Sequence, residues 1–119
     1  MNDLPLLDLA QLERLNEWGG ADLQRKMIDL FLTHSIERLN QIKEGISTGN
    51  SEQAETGAHT LKSSAGNVGA QRVQRMAQDA ESLAEAGKLD ELQALFPSLE
   101  EEFQAACGAL KSVLEGVDQ

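Results

Sequence analysis

Apolar residues recur along this chain at steps of three and four, the spacing that gathers them on one face of an α-helix, and no segment alternates as a half-buried strand would. From Asp8 to Trp18 the rhythm is set by Leu9, Leu12 and Leu15, with Asp8 as the N-cap and Gly19-Gly20 as the stop. A longer pattern runs from about Ala21 to Ser47 through Leu23, Met27, Leu30, Phe31, His34, Ile36, Leu39, Ile42 and Ile46. Gly49-Asn50 breaks it, and Ser51 is placed to cap the next helix. A third helix is predicted over about 52–67, closing at the Gly66-Asn67-Val68-Gly69 turn. A fourth spans about 70–86, with Val73, Met76, Ala77, Ala80, Leu83 and Ala84 inward and Gly87 as its stop. The fifth spans about 89–114 through Leu92, Leu95, Phe96, Leu99, Phe103, Ala106, Leu110 and Leu114, and Pro97 is expected to kink or divide it.

Five helices joined by short turns predict an all-α fold: an antiparallel up-down four-helix bundle with an additional short N-terminal helix laid across one end. Composition agrees. Hydrophobic residues make up 40%, yet aromatics are only 3% and Tyr is absent, so the core is to be built from Leu, Ile, Ala, Met and Val. At 119 residues, without a linker, repeat or low-complexity stretch, the chain reads as a single domain over 1–119.

Charge narrows the function. A formal net charge of −10 repels phosphate backbones and anionic lipid, which argues against nucleic acid and membrane surfaces as partners. No apolar run has transmembrane length, the N-terminus lacks the basic flank of a signal peptide, and the single Cys107 has no internal disulfide partner. A cytoplasmic, monomeric protein is expected.

Candidate chemistry lies on the third helix. At roughly 100° per residue, Ala54, Ala58, Leu61, Ala65 and Val68 form one core-facing stripe. On the same wheel His59 lies about 150° from the centre of that stripe and is expected to stand in solvent. Its neighbours three and four residues away are Glu55, Thr56, Lys62 and Ser63, with Gly66 two turns on. An exposed imidazole with an ordinary pKa of ~6.5 is largely neutral and nucleophilic near pH 7. An ammonium beside it can meet the charge on a transferring phosphoryl group, and the hydroxyls of Thr56 and Ser63 can add hydrogen bonds.

The run Ala58-His59-Thr60-Leu61-Lys62-Ser63-Ser64-Ala65-Gly66-Asn67-Val68-Gly69-Ala70 resembles the signature of histidine-containing phosphotransfer (HPt) domains, roughly A-H-x-L-K-G-x-x-x-N-hydrophobic-G-A. Ala58, His59, Leu61, Lys62, Asn67, Val68, Gly69 and Ala70 match it. The likeness extends more loosely over the chain, with Leu30-Phe31 opening a long helix ahead of the motif and Glu81 where many members carry the acid of a Leu-Glu pair. Ser63 departs from it, standing where the family most often has glycine to clear room for a receiver domain. The resemblance implies that His59 accepts and donates the phosphoryl group, that Lys62 steadies it, and that Thr56, Ser63 and Gly66 lie where a partner docks. It further implies a four-helix bundle with an extra N-terminal helix. The implied partners are response-regulator receiver domains and a hybrid sensor histidine kinase; magnesium comes from the receiver, with no cofactor or metal held by this chain.

Two functions from different classes fit the sequence. The first is a phosphorelay intermediate, a carrier rather than an enzyme with a nucleotide site, since no Gly-rich nucleotide loop is present. The second is a phosphate-independent adaptor that binds receivers or kinases through the same face. Elsewhere the readings are plainer. His34 is expected at a partly buried boundary and Cys107 as a small buried hydrophobe. Gly66 serves helix ending or clearance. Arg72 and Arg75 fit ordinary solvated charges at least as well as a docking rim, and Glu100-Glu101-Glu102 reads as a solvated face.

Overall fold

The computed structural model describes residues 4–117, and among them every regular element is helical. The elements are α1 (Leu9–Thr48), α2 (Ser51–Asn67), α3 (Gln71–Glu85) and α4 (Leu89–Val117). Each packs on its neighbour in the chain, and α1 closes the ring on α4. With connections of two or three residues, that is an antiparallel up-down bundle.

The additional N-terminal helix is not a separate element: the residues expected to form it are the first arm of α1, which is broken at Gly20, whose φ of 73° and ψ of −170° are not helical. The break is a sharp one. Gln24 Nε2 donates to the Leu12 carbonyl at 2.9 Å, whereas twelve residues of unbroken helix would hold these positions about 18 Å apart. The arm therefore folds back, and its Leu12 and Leu15 are buried in the common core.

That core is continuous. Ile28, Phe31, Leu39 and Ile42 of α1 meet Ala54, Ala58, Leu61 and Ala65 of α2, Val73, Ala77, Ala80 and Ala84 of α3, and Leu92, Leu99, Phe103 and Leu110 of α4. Phe31 and Phe103 join α1 to α4, with ring centroids 5.6 Å apart. The α1–α2 seam is tight where side chains are smallest: a Cβ on Gly45 would lie 2.7 Å from the Ala54 nitrogen, and one on Gly57 3.2 Å from the Arg38 carbonyl. Between α2 and its neighbours only its outer face is left to water.

Three expectations are corrected. Asn50, not Ser51, is the N-cap of α2: its side chain accepts from the Gln53 N–H, and Ser51 is already helical. Pro97 does not divide α4, which runs on through it; Pro97, Gln93 and Ala94 are all exposed, so water can solvate the carbonyl left without an N–H. On α1 the inward stripe is Gln24, Ile28, Phe31, Ser35, Leu39, Ile42 and Gly45, whereas Leu30, His34 and Ile36 are exposed.

Candidate functional site

Two features of the chain aim α2's outer face. At its start Asn50 caps the helix; at its end the chain turns through Gly69, which has φ of 73°. There the Ala70 N–H reaches back to the Ala65 carbonyl at 2.9 Å, closing the last turn. The segment 4–8 ahead of α1, an N-terminal strap, docks on this same turn together with Gln11 of α1. Asp8 N–H donates to the Gly69 carbonyl at 2.7 Å, Gln11 Nε2 to the Asn67 carbonyl at 3.1 Å, and Gln71 Nε2 to the Pro5 carbonyl at 2.9 Å. A Cβ on Gly69 would lie 2.5 Å from the Asp8 carbonyl oxygen. The Asn67-Val68-Gly69-Ala70 portion of the motif is thus the place where strap, α2 and α3 meet.

On the outer face His59 presents a side chain that is 61% exposed. Its Nδ1 lies 2.7 Å from Oε2 of Glu81, on α3, and the other oxygen of that carboxylate accepts from Lys62 Nζ at 2.7 Å. Lys62 Nζ also donates to Gln78 Oε1 at 3.1 Å. One carboxylate therefore ties the imidazole to the ammonium across the α2–α3 seam. The hydrogen bond from Lys62 holds the Glu81 carboxyl below the usual carboxylate range; partial burial opposes this, and His59 adds to it. Glu81 is consequently an anion at neutral pH, an acceptor on both oxygens, and Nδ1 must carry the proton of the neutral imidazole. The lone pair is left on Nε2, the nitrogen away from Glu81.

Of the other expected positions, Thr56 and Ser63 are exposed on the same face. Gly66 is half-buried inside α2 with the Gln74 amide over it, where a Cβ would lie 2.7 Å from Nε2. Lys62 is brought to the histidine, but through Glu81. Glu81 itself is the residue at this site that reasoning from the sequence left without a role. Its only trace there was its place at the acidic position of the family's Leu-Glu pair, because the spacing within α2 says nothing about which α3 residue lies opposite.

The remaining candidates fall away from this site. His34 is exposed, not partly buried, and lines a shallow depression with Met27, Leu30, Phe31, Ser64 and Asn67. Arg72 is structural: its Nε donates to the Leu4 carbonyl at 2.6 Å, and its guanidinium lies 3.8 Å from Glu102, so the acidic run is not wholly a solvated face. Cys107 is half-buried, and burial pushes its thiol up. Among the described residues, no group of three or more His, Cys, Asp or Glu could hold a metal ion, and no helix is long and apolar enough to cross a membrane.

A surface histidine held by a carboxylate on the outer face of a four-helix bundle defines a class, and comparison with known proteins agrees with it. The Hpt domain family model matches residues 26–113, so the chain belongs to the Hpt domain family, phosphotransfer modules of two-component signalling. The fold is similar to the crystal structure of histidine-containing phosphotransfer protein B (HptB) from Pseudomonas aeruginosa PAO1, with a TM-score of 0.88 and 26% identity over 95% of this chain and 97% of that one. No curated protein matches the chain.

Proposed function

We propose that this chain is a phosphorelay intermediate that takes a phosphoryl group from a receiver-domain aspartate onto Nε2 of His59 and passes it to an aspartate of another receiver. The observation that carries the reading is the Glu81 contact on Nδ1, which leaves the nucleophilic lone pair on Nε2 of an exposed side chain. In the forward step that pair attacks phosphorus as the bond to the aspartyl oxygen breaks, and the carboxylate leaves with its electrons. The product ring carries a positive charge shared with Nδ1–H, and Glu81 stabilises it at hydrogen-bond distance. In the return step an aspartate oxygen attacks phosphorus, and Nε2 recovers its pair.

Glu81 sits behind the ring and cannot block the line of attack. Lys62 keeps Glu81 ionised and is one turn from the phosphoryl position. Thr56 and Ser63 lie on the surface that a receiver would cover, and the small serine leaves room for it. Magnesium belongs to the receiver in this scheme. The partners are receiver domains of response regulators and of a hybrid sensor kinase, met in the cytoplasm by a monomer.

Labelling from a phosphorylated receiver domain tests the assignment. Wild type is expected to gain acid-labile, base-stable label, and His59→Gln to gain none while its helical circular dichroism stays intact. Label persisting in the variant would sink the assignment. A variant that binds receivers and signals normally would instead make the chain an adaptor.

A further inference from the structure

Gln71, Gln74, Gln78 and Glu81 recur on α3 at steps of three, four and three, forming a polar stripe laid along the outer face of α2. Each has a partner across or beyond the seam. Gln71 holds the strap, Gln74 covers Gly66, Glu81 holds His59, and Gln78 holds Lys62. The Gln78 amide is oriented: an ammonium can only donate, so Oε1 faces Lys62, while Nε2 lies 3.3 Å from Ser82 Oγ. Two of the three N–H donors of Lys62 are thus engaged on the α3 side, by Glu81 at 2.7 Å and by Gln78 at 3.1 Å. That is the Nδ1 side of the imidazole, while a phosphoryl group on Nε2 would stand at the other end of the ring. Lys62 has to give up part of this arrangement to touch phosphoryl oxygens.

We propose that Gln78 is a positioning residue that sets how Lys62 is divided between the α3 side of the seam and the phosphoryl group on His59. The inference rests on the proposed function, since it assigns the phosphoryl group to Nε2. Glu81 alone would keep its hold on Lys62 through charge. Gln78 adds a neutral second acceptor that fixes the stem of the lysine in the retracted geometry, and removing it frees the ammonium to turn toward the phosphate. The titratable groups around Lys62 are His59 from its own helix and Glu81 from α3, with Arg75 lining the same groove from α3.

The test uses the full chain, phosphorylated with phosphoramidate so that no receiver is needed, and follows the ³¹P shift of the phosphohistidine against pH. A nearby ammonium favours the more highly charged phosphoryl form and lowers the titration midpoint. Gln78→Met keeps the length and helix propensity of an exposed side chain and removes the acceptor. It is expected to lower the midpoint by about half a unit, roughly a threefold drop in proton affinity, the scale of one partly exposed charged contact. In a Lys62→Ala background the same change is expected to move nothing, because its only route is through the lysine. An unchanged midpoint in Gln78→Met, or an equal shift with and without Lys62, overturns the inference while leaving the phosphohistidine in place. A wild-type chain that takes no phosphoryl group on His59 overturns the proposed function and this inference together.

Discussion

At the scale of single residues the site depends on one carboxylate serving two donors. Glu81→Gln replaces an anion on Nδ1 with an amide that can present either an acceptor or a donor, so the tautomer is no longer dictated. Transfer to His59 is expected to slow by about tenfold, the low end for loss of one electrostatic contact because the site is open to water. Rates of labelling from a phosphorylated receiver check this. A pH dependence arises from the same pair. The Glu81 carboxyl is held below its ordinary value of 4.5, so the folded chain favours the anion more than the unfolded chain does. Its contribution to stability is complete above the ordinary value and is lost as pH falls through the lowered one. The stability advantage of wild type over Glu81→Gln is therefore expected to be larger at pH 6 than at pH 3. Urea melts of both proteins at the two pH values measure it; an advantage that grows toward acid would contradict the Lys62–Glu81 pairing.

The exposure of His59 was legible because a helix fixes the angle of every residue from the first few apolar positions. Its partner was not. Which residue of α3 faces His59 depends on the register of two helices, which follows from the turn through Gly69, and periodicity within either helix leaves that register open. The role of Lys62 shifts for the same reason. Read within α2, it lies beside a phosphate; across the seam, it is bound to Glu81 and Gln78.

At the scale of elements, the ends and faces of helices decide the outcome. Gly49 and Gly69 share a positive φ, 70° and 73°, but a Cβ on Gly49 would meet nothing within 4 Å, whereas one on Gly69 would meet Asp8. Gly49→Ala is expected to cost about 1–2 kcal/mol for the left-handed conformation alone. Gly69→Ala should cost about 1–2 kcal/mol more, since the strap must shift and its hydrogen bond is lost. Urea denaturation of the two variants isolates the strap, and equal losses would show that it contributes nothing. The ends of the later helices were readable from such punctuation, whereas Gly19-Gly20, read as a stop, only breaks α1 at Gly20. The inward face of α1 was not, because Gln24, Ser35 and Gly45 occupy core positions and break the apolar code, while Leu30 and Ile36 stand in solvent. Asn50 and Ser51 are both good caps, and only the backbone, extended at Asn50, chooses between them.

At the scale of the whole molecule, the question is where the cooperative unit begins. The family model starts at residue 26, inside α1, which would leave the folded-back arm outside the domain. The packing argues otherwise. Leu12 and Leu15 are 3% and 4% exposed, and the Leu12 carbonyl accepts from the buried Gln24 amide, which would lose its partner without the arm. Burying two leucines is worth about 1.5–3 kcal/mol each, and an orphaned buried amide costs about 1–3 kcal/mol more. A domain of this size has about 5–15 kcal/mol in all. A chain starting at Ala21 is therefore expected to lose about 4–9 kcal/mol and to be marginal at 25 °C, even though the hydrogen bonds that join His59, Lys62 and Glu81 lie wholly within α2 and α3. Urea melts of the truncated chain measure the loss directly, and a loss under about 1 kcal/mol would mean that the arm is an appendage. If the arm is part of the unit, the face that carries His59 depends on it at a distance, with α2 resting on a core that Leu12 and Leu15 help to close.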